Sequence, residues 1–233
     1  MVGACSSSTM PSAPSPAASA TPPPSAPTPS PTPDPITATA TARYRATFQA
    51  TWSAATHPDD FPASAHFSPL VGGTHSARVT FWLEGATATD GIKDMAERGL
   101  TSTLSGEVAA AIAAGSAEHV LTGGAIGSSP GVATVEFEVS QAFPLVTLVS
   151  MIAPTPDWFV GVSALPLFEN NRWADERRID LIPWDAGTDS GATFTSPDFV
   201  TVPRMPIARI VTAPLSPAGR ATPLGTFAFT RLP

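Results

Sequence analysis

Three aspartates stand where chemistry could be done. Asp157 sits in APTPDWFVGV, residues 153–162, and Asp185 and Asp189 in PWDAGTDSG, residues 183–191. Three explanations fit residues of this type. Aspartate favours turns because its carboxylate bonds its own backbone two residues on. Two carboxylates sharing a proton can serve as acid and base. A group of carboxylates also suits a hard cation such as calcium, which takes oxygen ligands and needs neither histidine nor cysteine. Glu138 in VEFEV lies near the end of an expected strand and adds a carboxylate to the third explanation, with Glu136 as the two-residue alternative. If the strands at 133–139 and 145–152 form a hairpin, Asp157 leads into the next strand and the acids can converge.

Enzyme motifs fail on inspection, and no catalytic residue is expected. GVSAL around Ser163 lacks the second glycine of a nucleophile elbow. Asp189-Ser190-Gly191 has no second copy in a comparable setting, which an aspartic dyad requires. His57, His66, His75 and His119 are scattered, and none forms a His-x-x-x-His pair that would hold zinc. LTGGAIGSSPG carries no lysine and follows no βαβ pattern, so it is a loop. Turn and metal explanations stay open.

The elements that must position these acids are mostly strands. RYRATFQATW alternates Tyr44, Ala46, Phe48, Ala50 and Trp52 against polar residues, as one half-buried antiparallel strand does. The run LVTLVSMI, 145–152, is apolar on both faces and reads as a central strand. Further strands are expected at 76–85, 133–139, 158–165, 177–183, 207–212 and 225–232. TDGIKDMAERG reads as a helix capped near Asp90 and stopped at Gly99, with a second short helix ending at Gly115. Short strands, Pro/Gly turns and one helical insertion predict an all-β fold, an antiparallel β-sandwich of eight strands.

Composition narrows the partners. The 233 residues carry net charge −7, 13% charged side chains and one lysine, Lys93, with no basic stripe, which excludes nucleic acid as the main partner. Residues 1–35 hold eleven prolines and one charge, Asp34. Such a segment buries too little surface to offset its ordering entropy, so 1–41 is expected to be a disordered, extended tether before a folded domain at 42–233. Val-Gly-Ala-Cys, ending at Cys5, looks like the end of a bacterial lipobox, which predicts membrane attachment through a lipid on Cys5. No run of 18 apolar residues exists to span a membrane.

The strings APTPDWFVGVSALPLF, IDLIPWDAGTDSGATFTSP and GIKDMAERG resemble the spondin domain family, found at the N-terminus of the extracellular matrix proteins F-spondin and mindin and alone in bacterial secreted proteins. The resemblance extends over roughly residues 42 to 232. It implies an eight-stranded sandwich and a divalent cation, calcium being expected, held by Glu138, Asp157 and Asp185, with Asp189 in a turn beside them. It also implies an extracytoplasmic adhesion or recognition module for a protein or glycan ligand. The alternatives are a metal-dependent hydrolase and a structural envelope protein in which the ion only locks loops. The cysteines and thrombospondin-type repeats of the animal proteins have no counterpart in these residues, which puts their matrix and integrin roles in doubt here. If Cys5 is lipidated, Cys5→Ser should move the expressed protein from the detergent phase to the soluble fraction; a processed variant still in membranes would contradict this.

Overall fold

Burying Tyr44, Ala46, Phe48 and Ala50 while their neighbours meet water is the period-two pattern of a strand with one wet face. The computed structural model describes residues 40–216 and 219–233; the expected tether and Cys5 lie outside the described residues. In chain order the strands are β1 (Thr41–Ala50), β2 (His66–Phe67), β3 (Val71–His75), β4 (Ala117–Thr122), β5 (Gly131–Ser140), β6 (Leu145–Ala153), β7 (Trp158–Pro166), β8 (Phe168–Glu169), β9 (Arg172–Trp173), β10 (Glu176–Asp180), β11 (Trp184–Asp185), β12 (Ala208–Arg209) and β13 (Gly225–Arg231). Helices α1 (Asp90–Arg98) and α2 (Ser102–Ala113) lie between β3 and β4.

Two antiparallel sheets face each other. One has the order β10-β13-β1-β5; the other has β12-β11-β7-β6-β3-β4, with β2 paired to β6. Between them lies a core of Tyr44, Phe48, Phe137, Phe227 and Phe229 from the first sheet and Leu148, Ile152, Trp158 and Val160 from the second. The expected β-sandwich is therefore present, with more and shorter strands than eight among the described residues.

The second sheet is buried on its other face too. Val71, Val149, Met151 and Phe159 pack there against Ile92, Met95 and Ala96 of α1 and Leu104 and Val108 of α2. This explains why β6 carries no polar stripe: it has no wet side. Helix α1 starts where the Thr89 hydroxyl accepts from the Ile92 N–H and stops at Gly99 in the left-handed region, φ 66°. Glu107 of α2 clamps that start, accepting from the Gly91 N–H at 2.7 Å and the Thr89 hydroxyl at 2.8 Å.

Two sequence expectations change. Residues 76–85 form no strand; Val71–His75 does. Phe81 and Trp82 are adjacent and both buried, which a strand with one wet face cannot arrange: Phe81 packs edge-on against His75 of β3, and the Trp82 indole donates to the Val162 carbonyl of β7. Nor do β5 and β6 form a hairpin: they belong to different sheets, so the turn between them crosses the sandwich.

Gly161 sits where β6 and β7 approach closely, opposite Val149. A Cβ there would lie 2.6 Å from both the Leu148 carbonyl oxygen and Val149 Cγ1. Gly161→Ala should cost about 1–3 kcal/mol, read as a lower urea midpoint. An unchanged midpoint would show that β7 can shift without penalty.

Candidate metal centre

The turn from β6 to β7 delivers Asp157. Thr155 closes it, its hydroxyl accepting from the Trp158 N–H at 3.2 Å. Asp157 immediately precedes β7 and Asp185 ends β11, and these strands pair so that Asp185 lies opposite Trp158. The pairing continues into the loop, where the Ala186 N–H donates to the Asp157 carbonyl. Residues 186–191 thereby fold over the Asp157 side chain.

One oxygen of Asp157 is fully engaged. Its Oδ2 accepts from the Thr188 N–H at 2.7 Å, the Asp189 N–H at 3.0 Å and the Thr188 hydroxyl at 3.3 Å. Its Oδ1 is buried and has no hydrogen-bond partner, in a residue with 0% exposure. Asp185 Oδ1 accepts from the Gly187 N–H at 2.7 Å, and Asp189 Oδ1 accepts from the Gly191 N–H at the same distance. These are two successive Asp-x-Gly turns. Asp189 Oδ2 also accepts from the Phe199 N–H, tying the loop to residues 198–206. Gly187, at φ 71°, is required twice over, because a Cβ would lie 2.2 Å from the Met205 carbonyl oxygen.

Burial, reinforced by the nearby Asp185 charge, pushes the Asp157 carboxyl up to about 7 against the lowering pull of Thr188 and Asp189. Burial also raises Asp185; the Gly187 N–H opposes that, the Asp189 charge adds to it, and the Trp158 side chain lowers it again. The site thus concentrates negative charge that its own donors do not balance. Beside it opens a cavity of about 520 Å³ lined by Trp158, Asp185, Asp189, Thr201 and Met205.

Of the residues expected from sequence, the structure gathers Asp157 and Asp185, with Asp189 bracing the loop. It sets Glu138 apart. Phe137 and Val139 face the core, so Glu138 is exposed on the outer face of β5, paired with Arg43 of β1 in the sheet that does not contain β7 and β11. Glu136, the alternative, is on the same face and accepts from Arg45 at 2.6 Å and Arg43 at 3.3 Å. Among the described residues no three His, Cys, Asp or Glu side chains form a group able to hold a metal. Thr188 escaped notice in the sequence; its position between two Asp-x-Gly turns was the available signal.

The Spondin_N family model matches residues 42–221. The chain belongs to the spondin family. Spondin-2 of Homo sapiens is 38% identical over 194 residues, which is 82% of this chain and 57% of that protein. Spondin-2 of Rattus norvegicus is 39% identical over 181 residues, 76% of this chain and 55% of the relative. Spondin-1 of Mus musculus is 37% identical over 171 residues, 70% of this chain and 21% of the relative. This spondin chain spans about half the length of the Spondin-2 proteins and about a fifth of Spondin-1.

A pH test follows from the raised carboxyl. Without an ion, folded Asp157 keeps its proton to about 7, whereas the unfolded chain releases it near the ordinary 3.8. Its contribution is therefore full below that lower value and is lost as pH rises through the folded value. The loss is on the order of 4 kcal/mol for a shift of this size. In chelator, the stability of wild type minus that of Asp157→Asn should fall between pH 4 and 7 and then level off. A difference that is flat with pH would contradict the charge burial.

Proposed function

We propose that this spondin chain is an extracytoplasmic recognition module that holds one divalent cation, calcium by its donor set, on Asp157 and Asp185. The supporting observation is the buried, unpartnered Oδ1 of Asp157 beside a second carboxylate whose charge raises its pKa. Asp157 would supply its free Oδ1, while Oδ2 stays with Thr188 and Asp189. Asp185 would supply a carboxylate oxygen, its group being oriented by the Gly187 N–H and the Trp158 side chain. Carbonyls or water complete an oxygen-only set, which suits a hard cation. The bound ion supplies positive charge that offsets the two carboxylates. Asp189, both of its oxygens engaged by N–H groups, orients the loop.

Recognition is favoured over hydrolysis by what lines the cavity. None of the four histidines, nor Lys93, is among its lining residues, and the carboxylates that are, Asp185 and Asp189, are assigned here to the ion and to the loop turns. Among the described residues no helix is long and apolar enough to cross a membrane; in this reading a lipid on Cys5 displays the module at a surface.

Thermal melts in calcium and in chelator test the ion. An ion that binds only the native state at a hundredfold excess over its dissociation constant stabilises it by about 2.7 kcal/mol. For a domain of this size that is a rise of roughly 5–10 °C. Asp157→Asn should lose most of the calcium response. Identical wild-type melts in the two buffers would sink the proposal.

A further inference from the structure

Exposed apolar side chains flank the acidic cavity. Among the described residues nine large apolar side chains are exposed, and five of them, Phe199, Val200, Val202, Met205 and Val211, fall within residues 199–211. Val202 is 85% exposed and Phe199 68%. Met205 and Val211 line the cavity itself. Clustered exposure of this kind marks interaction surfaces, unlike apolar residues scattered singly.

The segment is held in place. The Phe199 N–H donates to Asp189, and the Phe199 carbonyl accepts from the Ser190 N–H at 2.8 Å. The Thr201 N–H donates to the Thr188 carbonyl and the Met205 N–H to the Gly187 carbonyl. The Ser190 and Thr201 hydroxyls meet at 2.6 Å. Each tie runs to the loop that folds over Asp157, so the apolar rim and the acidic floor form one preorganised unit, which lowers the ordering cost of binding.

Charge decides what fits. The floor carries Asp185 and Asp189, with Asp157 behind them. The arginines there are already used: Arg204 bonds the Ala88 carbonyl at 2.9 Å and Asp90 at 2.5 Å, and Arg209, which lines the cavity, pairs with Glu84 at 2.8 Å. A dication that offsets Asp157 and Asp185 still leaves the charge of Asp189. The chain as a whole carries −7, which disfavours an anionic membrane and a second copy alike.

We infer that residues 199–211, around the acidic cavity, form a docking surface for a protein partner whose own face is apolar and carries a lysine or arginine. The apolar rim supplies buried area and the floor selects a cationic side chain. This rests on reading this end of the sandwich as the recognition site, but not on which ion it holds.

The probe is a library of phage-displayed random dodecapeptides selected on the full chain in calcium. Enriched peptides are then titrated against wild type and the Phe199→Ser/Val202→Ser double variant. Enriched sequences should place lysine or arginine beside apolar residues and bind the double variant at least tenfold more weakly. No enrichment, acidic motifs, or binders indifferent to the two substitutions would overturn the inference. So would a dimer in sedimentation, or co-sedimentation with phosphatidylcholine–phosphatidylserine vesicles, that the same substitutions abolish; these would assign the surface to a second copy or to a membrane. Both side chains are exposed, so the variant should keep the wild-type melt and its calcium response. A kept response separates failure here from failure of the ion site.

Discussion

A carboxylate removed from water needs partners for both oxygens, and Asp157 has them for only one. Leaving a charged group half-satisfied in a buried site costs several kcal/mol unless something neutralises it. A proton can do so, as the raised pKa shows, and a cation can do so more completely while also relieving the repulsion from Asp185. The loop from Asp185 to Gly191, the cavity and the pinned segment beyond it are all arranged around that one group.

The rest of the fold makes this arrangement rigid. β7 is anchored on one face by Trp158 in the inter-sheet core and on the other by Phe159 in the core beneath the helices. A strand packed on both faces cannot rotate to move Asp157 toward water. β11 is only two residues long, yet its pairing with β7 sets the register that brings Asp185 beside Asp157. Two Asp-x-Gly turns then return the chain across the site, and Asp189 passes the constraint on to Phe199. Local turn chemistry and long-range charge are therefore not competing explanations of these aspartates. Asp185 and Asp189 make turns so that Asp157 can be enclosed.

Much of this was legible in the sequence. β1 and β5 show strict alternation because each has one wet face, and β6 shows none because both its faces are covered. The strings around Asp157 and Asp185 carried the family resemblance that the comparisons bear out. The segment 76–85 misled because Phe81 and Trp82 pack against β3 and β7 from an irregular path, where no periodicity applies. Glu138 misled for a different reason. Its alternation correctly placed it outward, but its nearness to the aspartates required a β5–β6 hairpin, and the chain instead crosses between sheets. Periodicity reports which face a side chain is on, not which sheet it belongs to.

The central claim is that one ion replaces a proton on the Asp157–Asp185 pair. Calorimetric titration of the chain with calcium near pH 6.5, repeated in two buffers of different ionisation enthalpy, tests it most directly. The account predicts one ion per chain and a heat that differs between the buffers, because protons leave as the ion enters; Asp157→Asn should abolish both. Absence of binding, or binding that Asp157→Asn leaves intact, would contradict it.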